Sequence, residues 1–294
     1  MKLQSALTIL DKPKHDQPAL KLAMQLQEQA QCHVDCVAFC WHPMGDAAKV
    51  FDTHQRRQIK QSIVSQRKQW QRDLIRDEGF AARDIGLRTA WTKEIADWVA
   101  SAAAAKPTDL VIKTAHRREN FIHMPLDWKL LQSCPAPLLL TTDKPHKASG
   151  KIIAAVYLQH NDAKHRKLNE RVLDAATTMA TLTGGAVHCI CVVEFSRPLA
   201  DLDLIDVKKR RRELMTQEKA YLEALVGGYN IPKSRLHVPL GKVGEKVTQL
   251  SSKLGADMIV VGAHAQRVKE RLHIGNTAER ILARASADIL SVPP

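Results

Sequence analysis

Two apolar runs in this chain stand 148 residues apart and share one pattern: TDLVIKTAH at 108–116 and ADMIVVGAH at 256–264. Each is entered through an aspartate (Asp109, Asp257) and left through a small-residue turn ending in histidine (His116, His264). A short apolar run bounded by turn signals reads as a strand of a buried parallel sheet. An offset this long within 294 residues means a duplicated unit of about 150 residues, so the chain folds as two copies of one architecture.

The surrounding elements recur in the same order. SALTILD (5–11) and KIIAAVY (151–157) open the halves as strands. Helices with apolar residues at helical spacing follow, marked by Leu20, Ala23 and Met24 and later by Leu168, Val172, Leu173 and Ala176. Second strands, HVDCVAFC and AVHCICVV, lead into long charged helical stretches near 46–78 and 203–226. Third strands, GLRTAW and RLHVPL, precede short helices over 95–105 and 243–254. After the Asp-led fourth strands come a last helix and closing strands, APLLLTT (136–142) and ADILSVP (287–293). Strands alternating with helices imply an α/β fold with a parallel sheet and right-handed crossovers. The segment TDKPHKASG (142–150) carries Pro and Gly, which sets domains at 1–144 and 151–294 with a linker at 145–150.

Charge bears on partners. The net charge of +13 favours anionic ligands, yet it divides evenly between the halves instead of gathering in an arm or stripe. Aromatic residues make up 4% of the chain, which leaves little for base stacking and argues against nucleic acid. No apolar run approaches the length of roughly 20 residues that spans a bilayer, and MKLQSALTILDKPKHD meets charge too early for a signal-peptide core. Six cysteines without a dense framework suit a reducing compartment, so the expected location is the cytoplasm.

The second half ends in VVGAHAQRVKERLHIGNTAERILARASADILSVPP, which resembles the closing segment of universal stress proteins. The first half, with DLVIKTAH and PLDWKLLQSCPAPLLLTTD, is similar to the degenerate first domain of the two-domain members. PLDWKLLQSCPAPLLL, IGNTAERIL, DQPALKLA and SQRKQW together resemble the E-type tandem branch of Gram-negative bacteria. The resemblance implies two open-sheet domains of the adenine nucleotide α-hydrolase-like, Rossmann-like kind, each with five parallel strands in the order 3-2-1-4-5. It also implies an internal pseudo-dimer in which Leu138–Thr142 and Asp288–Val292 pair antiparallel.

Nucleotide-binding members of that family carry Gly-x2-Gly-x9-Gly-Ser/Thr between the fourth strand and the last helix, where glycines let the backbone approach phosphates. Here Gly262 and Gly275 match the first and third glycines, Asn276 stands at the Ser/Thr position and Thr277 follows. Ala265 replaces the second glycine, and Tyr157 replaces the aspartate that reads adenine at the end of the first strand. The first half keeps that aspartate as Asp11, but has Thr114 for the first glycine and Asp127–Trp128 for the late pair, and an aspartate there repels phosphate. The resemblance therefore points to ATP or another nucleotide in the second half, at Gly262, His264, Gly275, Asn276 and Thr277. The competing reading is that Asn276 caps the last helix and nothing binds.

His116 and His264 fall at the edge where open α/β sheets bind ligands, and His123 and His273 lie near them. They suit a phosphate contact or, at His116 and His123, a zinc ligand, although no paired-ligand spacing supports zinc. Cys36, Cys40, Cys189 and Cys191 read as core, whereas Cys32 and Cys134 are candidate exposed thiols. KKRRRE (208–213) reads as a solvated helix face beside acidic DLDLID. Leu199, Leu202, Leu204, Ile205 and Val207 offer either core packing or a groove for an apolar or acylated ligand. Trp70, Trp91, Trp98 and Trp128 predict an aromatic-rich core for the first half.

The expectation for function is a stress-response protein that binds a small molecule and works through protein partners. A pure interaction scaffold is the alternative, and further homodimerisation is left open. Glu279 lies a turn into the last helix and Asp257 at the wrong end of its strand, so no hydrolytic site assembles. At most a weak ATPase is implied.

Overall fold

The computed structural model describes residues 2–47, 50–80, 85–115, 126–143, 150–159, 162–194, 207–263, 265–266, 273–274, 281 and 285–294. The chain divides into two compact units, Lys2–Asp143 and Lys144–Pro294. Among the described residues no helix is long and apolar enough to cross a membrane.

The first unit runs β1 (Ser5–Ile9), α1 (Pro18–Ala30), β2 (His33–Cys40), α2 (Thr53–Asp77), β3 (Ile85–Trp91), α3 (Ile95–Ala105), β4 (Leu110–Thr114), α4 (Leu126–Ser133) and β5 (Leu138–Thr141). Its strands pair in the order β3-β2-β1-β4-β5, every pair parallel. Central strands are buried on both faces, as Ala6 to Ile9 and Leu110 to Lys113 show, because helices cover both sides of a parallel sheet. The edge strand β3 is half exposed. Asp52 closes a capping box with Gln55 at the start of α2, and Pro18 begins α1.

The second unit runs β6 (Lys151–Val156), α5 (Ala163–Thr183), β7 (Ala186–Cys191), α6 (Val207–Leu225), β8 (Leu236–His237), α7 (Val243–Leu254), β9 (Met258–Gly262), a ribbon of β10 (Ala265–Gln266) and β11 (His273–Ile274), and β12 (Asp288–Val292). Its main strands pair in parallel in the order β8-β7-β6-β9-β12. The duplication thus reproduces one topology twice. Gly184 and Gly255 end α5 and α7 in the left-handed region, at φ of 66° and 60°.

The repeated aspartates have a structural role. Asp109 Oδ2 accepts from the backbone amides of Gln4 and Ser5 at 2.8 and 2.9 Å, and Asp257 Oδ2 accepts from Lys151 N at 3.1 Å. Each ties the start of the fourth strand to the start of the first.

Three expectations need correction. The third strand of the second half is only two residues long, extended by a single bridge between Val193 and Leu240. Pro239 interrupts it, since proline donates nothing to a ladder. Cys32 and Cys134 are buried, 4% and 9% exposed, so neither is a surface thiol. The first unit's core is aliphatic, built on Leu20, Leu26, Ile75, Leu110, Ile112, Leu130 and Leu138 to Leu140, with Trp70, Trp91, Trp98 and Trp128 at its margin. Their large rings cover helix–sheet seams: Trp98 meets Phe39 edge-on at 5.2 Å, and Trp91 lies under Lys60.

Candidate functional site

Both units present the same edge at the C-terminal ends of their strands, and both finish it alike. Ala115 N donates to Thr141 O at 2.7 Å and Ala263 N to Val292 O at 2.8 Å. What stands on the two edges differs.

In the first unit the edge is filled by its own side chains. Asp11, 9% exposed, follows β1 and accepts from the Thr114 hydroxyl at 2.5 Å. Thr114 thus closes the turn after β4 onto Asp11. The same hydroxyl accepts from Ala19 N at 3.3 Å. Gln17 Oε1 accepts from Asp11 N at 3.0 Å, while its amide donates to His15 O at 3.1 Å, which pins the loop before α1. Lys113 on β4 reaches across to Asp127 in the first turn of α4, Nζ to Oδ1 at 2.7 Å, with both side chains about as buried as the core. Lys113 Nζ also donates to Thr114 O at 2.7 Å. A negative group at a helix start is favoured by the unpaired amides and the helix dipole. The first unit supplies that anion itself.

In the second unit residue 157 is tyrosine, and its backbone is clasped by Asn169 of α5. Tyr157 N donates to Asn169 Oδ1 at 2.9 Å and Asn169 Nδ2 donates to Tyr157 O at 2.7 Å. The half-buried ring lies 5.5 Å from that of His165, and His165 Nδ1 is 2.6 Å from Asp162 Oδ2. Burial, then the charge of Glu194, pushes the Tyr157 phenol above its ordinary range. Glu194 Oε1 accepts from Val243 N at the start of α7 at 3.0 Å. Glu218 on α6 is 7% exposed, 3.8 Å from the Cys191 thiol, and burial raises its carboxyl. The same burial, followed by the Glu218 charge, pushes Cys191 up to about 12.

Gly262 ends β9 against α5. A Cβ there would stand 2.7 Å from Leu168 Cδ2 and 2.8 Å from Leu168 Cγ, so glycine is demanded by packing at the motif's first position. Beyond it, Ala265 pairs with Ile274 and Gln266 with His273 in a separate antiparallel ribbon. His264, Gly275, Asn276 and Thr277 lie outside the described residues, as do His116 and His123. So do Leu199, Leu202, Leu204 and Ile205 of the suggested apolar groove.

Sequence reading missed Lys113, Gln17, Asn169, His165, Glu194 and Glu218. Two of these carried a signal: Lys113 interrupts an apolar strand, and Asn169 sits beside Leu168 on the buried face of α5. Among the described residues no three His, Cys, Asp or Glu side chains gather as a metal site. All six cysteines are buried, and a thiol held near 12 stays protonated at neutral pH and is no nucleophile.

The universal stress protein family model matches residues 165–293. Universal stress protein E of Salmonella typhi is 25% identical over 99% of this chain and 94% of its own length, and the Haemophilus influenzae homologue is 22% identical over 100% and 98%. Within the second unit, residues 165–293 therefore carry a universal stress protein domain. A universal stress protein structure from Archaeoglobus fulgidus shares the fold over 98% of both chains, with a TM-score of 0.62 at 13% identity. A functionally unknown protein from Pseudomonas aeruginosa does so at a TM-score of 0.74 and 23% identity, over 99% of this chain and 93% of that one.

Proposed function

We propose that this chain is a cytoplasmic stress-response binder of the universal stress protein family. Its second unit takes one small anionic ligand of the nucleotide class, with ATP the first candidate, and it acts through protein partners. The observation that carries the reading is the contrast between the two edges. Asp127 holds the first unit's anion position and is neutralised by Lys113, whereas the matching position in the second unit is Gly275. In this reading the Asp127 side chain stands where a phosphate would lie, whereas glycine brings neither a side chain nor a charge to its position. The net charge of +13 supports an anionic ligand.

Calorimetric titration with ATP tests this. Wild type should bind with affinity in the micromolar range, about −8 kcal/mol. Gly275→Asp, which copies the first unit's carboxylate into the second, should lose binding at least about a hundredfold. Saturable binding unchanged in Gly275→Asp would refute the placement, and absence of binding in wild type would refute the ligand class.

One observation favours a second reading. Tyr157 fills the position of the family's adenine-reading aspartate, with its backbone held by Asn169. In that reading the edge is a finished surface and the protein is a scaffold without ligand, which wild type's failure to bind any nucleotide would support.

A further inference from the structure

At the opposite edge, by the N-terminal ends of the strands, one polar pair occupies the same place in both units. In the first unit Asp35 on β2 pairs in register with Gly86, and Arg88 stands two residues further along β3. Arg88 Nη2 and Lys106 Nζ both donate to Asp35 Oδ2 at 3.0 Å, and His33 Nε2 lies 3.2 Å from Oδ1. A Cβ at residue 86 would come within 1.9 Å of that Oδ1, so glycine makes room for the carboxylate. Burial works against the Asp35 charge, but the hydrogen bonds from Lys106 and His33 and the charge of Arg88 outweigh it and hold the carboxyl below its ordinary value.

In the second unit the same diagonal is built from histidines. Cys189 pairs with Leu236 and Ile190 with His237, so His188 takes the place of Asp35 and His237 the place of Arg88. His188 Nδ1 and His237 Nε2 are 3.2 Å apart, with ring centroids 5.4 Å apart and planes 22° from parallel. Such a contact needs an N–H on one ring and a lone pair on the other. When both rings are protonated no lone pair remains, and two positive charges face each other.

The charges that act on the two rings from the described residues are cationic. Burial, then His237, Arg235 beside β8 and Lys151 on β6, hold His188 below its ordinary value of 6.5. Burial and then Lys253 of α7 do the same for His237. Asp257, at the same edge, is turned onto the Lys151 backbone amide. Among the described residues of α6, which also packs on β8, none adds a charge to either ring. The strand these rings secure is short: two ladder residues, with Val193 N donating to Pro239 O at 2.9 Å and Gly241 N to Val193 O at 3.0 Å.

We propose that the His188–His237 pair is an acid-sensitive fastening of β8. It holds residues 235–241 against β7 at neutral pH and releases them on acidification, while the Asp35–Arg88 pair keeps β3 in place. The sign follows from linkage. Chain opened at this edge titrates near 6.5 and the closed pair lower, so below 6.5 the open form takes up more protons. The fastening is complete above 6.5 and fades as pH falls through the closed pair's values. The consequence is local opening of one edge, independent of any nucleotide.

Hydrogen exchange of the full chain, followed by mass spectrometry at pH 7.5 and 5.5 and corrected for intrinsic rates, tests this. Wild type should lose about tenfold protection or more in the peptide over 234–242, with little change over 85–91. His188→Gln with His237→Gln cannot charge and should show no such pH dependence. His188→Asp with His237→Arg, which transplants the first unit's pair, should also stay closed at pH 5.5. Equal loss over 85–91 and 234–242, no loss in wild type, or a loss that persists in the glutamine variant would each overturn the proposal. The wild-type comparison stands even if a variant fails to fold.

Discussion

Lys113 and Asp127 show how a single residue changes what an edge can accept. Removing one partner of a buried ion pair leaves an uncompensated charge, at a cost of about 3–5 kcal/mol, whereas replacing both with apolar groups of similar volume is far milder. Asp127→Ala should therefore destabilise the first unit much more than Lys113→Met with Asp127→Leu. Chemical denaturation followed by tryptophan emission reports this unit alone, because all five tryptophans lie in it. Equal costs for the two variants would mean that the pair is incidental. Gly262 makes a second residue-scale case. Gly262→Ala drives a Cβ into Leu168 and should cost about 1–3 kcal/mol. Leu168→Ala added to it should cost less than the sum of the two single changes, because the smaller side chain removes the collision. Strict additivity would show that the glycine answers to something other than α5.

Among the elements, the aspartates before β4 and β9 are the clearest shared device, and they are not equally engaged. Asp109 receives two backbone amides and the Ser5 hydroxyl, the latter at 3.2 Å, while Asp257 receives one amide. Asp109→Ala should loosen the start of β1 by roughly 2 kcal/mol and Asp257→Ala the start of β6 by roughly 1 kcal/mol, read as amide exchange at Ser5 and Lys151. The reverse order would contradict that role. These aspartates were also the sequence feature from which the duplication was read, and the reason is physical: a buried parallel strand and its tie to a neighbour leave a pattern in consecutive residues. The helices over 95–105 and 243–254 were legible on the same grounds, through unbroken apolar spacing. β8 was overestimated because RLHVPL alternates like a strand until Pro239 removes a donor. The tryptophans misled because ring size suggests depth, and depth is set by which helix face meets the sheet. Of the predicted site residues only Gly262 falls among those described, and the Lys113–Asp127 and Tyr157–Asn169 contacts join residues whose partnership only the folded crossover creates.

For the whole molecule, duplication followed by divergence accounts for what the two units share and where they part. The topology, the closing hydrogen bonds at Ala115 and Ala263, and the Asp-led fourth strands are held in common. The edges differ: a buried ion pair, Lys113–Asp127, stands at the C-terminal side of the first unit, and at the N-terminal side the Asp35–Arg88 ion pair of the first unit is matched by two histidines in the second. A net charge of +13 over 294 residues favours negative ligands without selecting a site. Under the proposed function, selection would rest on the self-filled edge of the first unit, so one ligand per chain is the expected stoichiometry. Native mass spectrometry of the gently purified full chain, with ATP added across the micromolar range, counts this directly. The account predicts a single bound nucleotide per chain that vanishes in Gly275→Asp and persists in Lys113→Met with Asp127→Leu. Two nucleotides per wild-type chain, or one that survives Gly275→Asp, would contradict it.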